Sequence, residues 1–192
     1  MPMDDVPPIS DLETILDSGK IAARIRGLGE EISRDYRGRT PHLIGVLKGA
    51  WIFMADLIRA FSIDTTVDFL GIETYGSGTA PSGEVKITRD LDMTIAGRDV
   101  LIVEDIFDTG RTYQYLRGVL SAHKPKSLKL VTLLNKASRR AVPVEADYVG
   151  FEVPDVFVVG YGLDYRQRFR QLPDVRRLRG GDFGETLPAP PR

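Results

Sequence analysis

Short, largely apolar runs that alternate with stretches of helical spacing confine this chain to few folds. "HLIGVL" (His42 to Leu47), "VLIV" (Val100 to Val103) and "SLKLVTLL" (Ser127 to Leu134) have the continuous apolar character of strands covered on both faces. After the first run, "KGAWIFMADLIRAF" sets Met54, Leu57, Ile58 and Phe61 on one helical face, and a helix is predicted to begin near Thr112. A further strand is predicted over Val67 to Thr74, with two short ones around Tyr148 to Phe151 and Val156 to Val159. Near the N-terminus, Ser10 and Glu13 have capping-box spacing, and Ile21, Ile25, Leu28 and Ile32 recur at helical intervals, so helices are expected to open the chain. The pattern predicts an α/β fold, a central parallel sheet flanked by helices.

At 192 residues, one compact core is the expectation. The organisation predicted is a single domain over residues 1–180, a mobile loop near residues 75–84 ("YGSGTAPSGE") and a loose C-terminal tail over 181–192. With 42% apolar and 28% charged residues and a net charge of −1, the composition argues against disorder and against a nucleic-acid partner. Cysteine is absent, which removes disulfides, thiolate metal sites and cysteine nucleophiles. The two histidines, His42 and His123, have no metal-ligand spacing, so any metal would sit on oxygen ligands. "MPMDDVPPIS" does not read as a signal peptide, and no run of about 18 apolar residues occurs, so a cytoplasmic protein without membrane contact is expected.

The chemistry concentrates in "VLIVEDIFDTGRT", Val100 to Thr112. In an open parallel sheet ligands collect beyond the carboxyl ends of the strands, which is where a strand ending at Val103 places Glu104 and Asp105. A Glu-Asp pair by itself is ordinarily a solvated loop. Here "DTGRT" follows, with a glycine between two threonines just before a helix, so backbone N–H groups and hydroxyls converge at the positive end of the helix dipole. That is a phosphate cradle, though not a Walker loop, and "GSGTAPSG" lacks the spacing of a dinucleotide fingerprint. Carboxylates beside a phosphate repel it unless something intervenes. A ribose phosphate resolves the conflict, with vicinal hydroxyls and magnesium toward the acids and the phosphate on the Thr-Gly-Arg-Thr turn.

"VLIVEDIFDTGRT" resembles the signature of type I phosphoribosyltransferases, and "GVLKGAWIFMADL", "LLNKASRR", "YVGFEVPDVFVVGYGLDY" and "RFRQLP" extend the likeness toward the 6-oxopurine (hypoxanthine) enzymes of that family, over roughly Ile9 to Asp174. The resemblance implies a small hood built from N- and C-terminal segments beside the sheet. It implies transfer of a phosphoribosyl group from 5-phosphoribosyl 1-pyrophosphate to N9 of hypoxanthine, and guanine as well, with Mg2+ as cofactor and assembly as a homodimer or homotetramer. Residue by residue, Glu104 and Asp105 would face the ribose hydroxyls and the metal. Thr109, Gly110, Arg111 and Thr112 would wrap the 5′-phosphate, and Asp108 would take the proton from purine N7. Lys48 and Gly49, where the family has a non-proline cis peptide, and Arg170 would meet the pyrophosphate. Lys136 would bond the purine O6, Phe157 would stack on the base, and Val158 would read its edge through backbone groups. Asp164 would lie at the purine site and reach the metal. Thr74 and Tyr75 would begin a lid that excludes water.

Alone, several of these residues have plainer readings: Lys136 as a surface lysine, Phe157 as core, Asp164 as a turn aspartate, and Arg170 beside Arg166 and Arg168 as part of a solvated basic face. The chain also departs from the family. Phe107 stands where a smaller aliphatic is common, Arg111 fills a variable position, and "RRLRGGDFGETLPAPPR" runs past the shared region. Two other readings carry their own expectations: a guanine- or xanthine-preferring transferase, and an RNA-binding regulator on the same fold, which a near-neutral charge disfavours.

Overall fold

The computed structural model describes residues 6–75 and 84–178. After a short 3-10 turn at Ile9–Asp11, the chain runs β1 (Leu12–Leu16), α1 (Ser18–Asp35), β2 (His42–Leu47), α2 (Trp51–Arg59), β3 (Thr66–Tyr75), β4 (Glu84–Arg89), β5 (Asp99–Phe107), α3 (Arg111–Ala122), β6 (Ser127–Asn135), β7 (Tyr148–Glu152), β8 (Val158–Val159) and β9 (Val175–Leu178). Six strands form the main sheet in the order β4-β3-β2-β5-β6-β7. The inner pairings are parallel, and β4 folds back antiparallel on β3. The sheet is therefore mixed at one edge, where β4 runs against its neighbour β3 while the inner strands run with theirs.

The apolar runs are continuous because both faces of the sheet are covered. Along β5, Val100 and Ile102 pack with Ile44, Leu70 and Leu130 against Tyr113, Leu116 and Leu120 of α3. The alternate residues Leu101 and Val103 pack with Leu43, Val131 and Leu133 against Ile21, Ile25, Leu28 and Ile32 of α1 and Phe53, Met54 and Leu57 of α2. Successive side chains on a strand point to opposite faces, so a strand between two helical layers needs apolar residues at every position.

Beside this unit, β1, β9 and β8 form an antiparallel three-stranded sheet built from the two ends of the described chain, the hood that the resemblance implied. It closes over Leu12, Val159, Tyr165, Phe169 and Leu172. The expected capping box at Ser10 and Glu13 does not form. The Ser10 hydroxyl donates to Asp11, and Leu12–Leu16 is drawn into the hood by pairing with β9. Asp17 caps α1 instead, accepting a hydrogen bond from Lys20 N at 2.9 Å. The expected loop over residues 76–83 and the tail over 181–192 lie outside the described residues, as do the side chains of Thr74 and Tyr75 at the end of β3. Among the described residues no helix is long and apolar enough to cross a membrane.

Candidate active site

From β2 the chain turns to β3 on one side, and only after β4 does it return to β5 on the other, so the carboxyl ends of β2 and β5 border a topological switch point. A cleft of about 310 Å³ opens there, lined among others by Gly49, Glu104, Asp105, Asp108, Thr109, Gly110 and Thr112. The acids do not follow the strand as expected. β5 continues through them to Phe107, because β6 keeps pairing it as far as Phe107 opposite Asn135. Glu104 is thereby held within the strand and buried, only 7% exposed. Burial, and then the neighbouring Asp105, keep the Glu104 carboxyl well above the usual carboxylate range. Burial also pushes Asp105 up to about 6, against hydrogen bonding from the Ile106 N–H at 2.9 Å and the pull of Arg170.

Gly110 opens α3 with φ +81°, a conformation that glycine adopts without strain. Arg111 N donates to Thr109 Oγ1 at 3.4 Å; Arg111 itself is exposed, whereas Thr112 lines the cleft. Across the cleft the Leu47–Lys48 peptide is cis. Gly49 lies so close to Asp105 that a Cβ there would come within 1.6 Å of Asp105 Oδ2. From the other side Gly162 presses on it, since a Cβ at Gly162 would lie 2.3 Å from the Gly49 carbonyl oxygen. Lys48 is exposed and is not among the residues that line the cleft.

Asp164 pairs with Arg170 at 2.6 Å and accepts from Gln167 N at 2.8 Å, while Arg170 also donates to the Gly162 carbonyl at 2.6 Å. Among the described residues no group of three or more His, Cys, Asp or Glu side chains could hold a metal, so Glu104, Asp105 and Asp164 do not form a closed protein cage. On the purine side, Lys136 is buried, with Nζ 3.8 Å from Asp155 Oδ1. Burial lowers its pKa, opposed by Asp108 and Asp155. Phe157 packs edge-on against Tyr165, centroids 5.7 Å apart, and Val158 is buried in β8. Lys136, Phe157, Val158, Asp164 and Arg170 do not line the cleft that holds the acids and the glycine turn.

Two arginines at this site have no role in the sequence reading. Arg139 Nε lies 3.0 Å from Asp108 Oδ1 and its Nη1 lies 3.2 Å from Asp155 Oδ1. Arg140 stacks on Phe107, 3.4 Å from the ring centroid, and donates to the Asp108 carbonyl. The available signal was the doublet itself, shortly after the end of β6 at Asn135, but Asp108 and Phe107, which it meets, lie about 30 residues earlier in sequence.

A mixed six-stranded sheet with a small antiparallel hood, an acidic strand end and a glycine turn at its switch point is the type I phosphoribosyltransferase fold. A model of the phosphoribosyl transferase domain matches residues 11–166. The chain is 49% identical over 170 residues to the hypoxanthine-guanine phosphoribosyltransferase of Bacillus subtilis, covering 88% of this chain and 94% of that one. It is also 49% identical over 177 residues to the bifunctional protein TilS/HprT of Listeria innocua, matching along 92% of its own length and spanning 27% of that relative's. A crystal structure of a hypoxanthine phosphoribosyltransferase from Staphylococcus aureus superposes with a TM-score of 0.86 at 41% identity, covering 92% of this chain and 96% of that one. The chain belongs to the phosphoribosyl transferase family, and the relatives it matches include hypoxanthine and hypoxanthine-guanine phosphoribosyltransferases.

Proposed function

We propose that this protein transfers the phosphoribosyl group of 5-phosphoribosyl 1-pyrophosphate to N9 of hypoxanthine and guanine, forming IMP or GMP and releasing pyrophosphate. The observation that carries the proposal is the shared cleft: Glu104 and Asp105 face the same hollow as the Asp108–Thr112 turn. In this reading the 5′-phosphate lies on Thr109, Gly110, Arg111 and Thr112, where a helix N-terminus favours an anion. The ribose hydroxyls meet Glu104 and Asp105. Lys48, Gly49 and Arg170 receive the pyrophosphate, and Thr74 and Tyr75 begin a lid over the reacting sugar.

The donor set suits magnesium carried in by the substrate. Magnesium is commonly held by one or two carboxylates and by phosphate oxygens rather than by a protein cage. Glu104 and Asp105 are hard oxygen donors whose buried charges a cation relieves, and Asp164 would reach it directly or through water. When bound, the ion supplies positive charge against the pyrophosphate that leaves. The base would stack on Phe157, with Val158 backbone groups at its edge. Lys136 would donate to O6 and steady the negative charge that spreads there as Asp108 takes the N7 proton. Arg139 lies against Oδ1 of the same carboxylate, 3.0 Å away.

Purified protein is assayed with 5-phosphoribosyl 1-pyrophosphate, magnesium and each of hypoxanthine, guanine, xanthine and adenine. IMP and GMP are expected, and EDTA should abolish both. Absence of product from every base would overturn the proposal, and product from xanthine alone would correct the base. Light scattering reads the assembly, with a homodimer or homotetramer expected from the family and a monomer overturning that part.

A further inference from the structure

An anion site built from backbone N–H groups needs its carbonyl oxygens turned elsewhere. The turn that carries the candidate phosphate cradle meets this condition through one neighbouring segment, residues 136–141. Lys136 N donates to the Phe107 carbonyl at 3.0 Å and Ala141 N to the Thr109 carbonyl at 2.9 Å. The carbonyl between them, on Asp108, accepts instead from a side chain, the Arg140 guanidinium. Its other amino group donates to Asn135 Oδ1 at 2.5 Å, and Asn135 Nδ2 donates in turn to Glu152 Oε1 at 2.8 Å on the neighbouring strand.

We infer that Arg140 is a positioning residue for the phosphoribosyl donor, holding the Asp108 carbonyl away from the cleft so that the following N–H groups stay aimed at the 5′-phosphate. The inference rests on the reading that the 108–112 turn binds that phosphate. Three contacts fix the guanidinium: the Asp108 carbonyl, the Asn135–Glu152 relay and the ring of Phe107. The arginine stem packs on Gly110 as well, where a Cβ would come within 3.1 Å of Arg140 Cδ and 2.8 Å of Val144 Cγ2. Phe107 thus gains a local reason. A flat ring supplies the face on which a guanidinium stacks, and Phe107 is itself braced edge-on by Tyr113, 5.8 Å away. A lysine at position 140 could reach the carbonyl but could not bond Asn135 and stack at the same time.

The test compares the native enzyme with Arg140→Met, Arg140→Lys and Asn135→Ala. Steady-state kinetics give KM for each substrate, calorimetry gives the Kd of ribose 5-phosphate, and melting curves confirm folding. Arg140→Met should raise KM for 5-phosphoribosyl 1-pyrophosphate and Kd for ribose 5-phosphate by about tenfold or more, the effect of losing a charge-assisted hydrogen bond. KM for hypoxanthine should stay within about twofold, a split that general loosening would not give. Arg140→Lys should fall between native and Met. Asn135→Ala should shift the same two constants more weakly, and adding it to Arg140→Met should change them little further. Should Arg140→Met not fold, the Lys and Asn135 variants decide. Unchanged donor constants in folded variants, or equal losses for both substrates, would overturn the inference. Native protein that binds no ribose 5-phosphate would overturn the phosphate reading itself.

Discussion

Glu104 and Asp105 carry their charges at a cost to the fold. Burial raises both above the ordinary carboxyl values of 4.5 and 3.8, Asp105 to about 6 and Glu104 well up. The ligand-free protein therefore binds more protons at these two sites than the unfolded chain does, from about pH 4 upward, and their contribution to stability declines as pH rises through that window. Glu104→Gln removes the larger part of this. Its urea midpoint is expected to exceed the native one at pH 7 and to approach it near pH 4.5; parallel curves across that range would refute the linkage. At Gly49 the constraint is steric. Gly49→Ala puts a methyl group 1.6 Å from Asp105 Oδ2, and either the backbone or the carboxylate has to give way. The expected outcome is a loss of about 1–3 kcal/mol in denaturant unfolding and a higher KM for the phosphoribosyl donor. Asp108→Asn keeps the shape and removes the proton acceptor, so kcat should fall by about a hundredfold or more with little change in the donor's KM. A fall of less than about threefold would assign the N7 proton elsewhere.

Among the elements, those that packing repeats along the chain were legible. The strands from His42 and Ser127 and the face of α1 followed from their apolar spacing, because each must bury that face against a layer on a fixed side. Elements fixed by distant partners were not. β1 and β9 hold each other in register across some 160 residues, and β4 exists through its pairing with β3. The start of α1 shows the difference at a single residue. Ser10 and Glu13 have the spacing of a cap, yet pairing with β9 claims that segment, and Asp17 satisfies Lys20 N instead. Asp17→Ala is expected to cost about 1 kcal/mol in urea unfolding, and Ser10→Ala close to nothing; the reverse order would restore the capping box.

Over the whole molecule, the sheet and the hood differ in how thoroughly they are buried. β2, β5 and β6 lie inside the sheet between two helical layers, whereas β8 is two residues long and the hood core is small. Hydrogen exchange is expected to protect the amides of β5 and β6 most and to release those of β1, β8 and β9 earlier. Uniform protection across both would mean that they unfold as one unit. The sequence by itself determined the α/β class, the family and the turn that opens α3, since apolar period and local helix-end chemistry act between near neighbours. Only the tertiary structure decided that β5 runs on through its two acids, that Arg139 meets the Asp108 carboxylate, and that Arg140 takes the carbonyl behind it. The partners of those groups are far apart in the chain, and their geometry exists only once the sheet has brought the ends of β5 and β6 side by side.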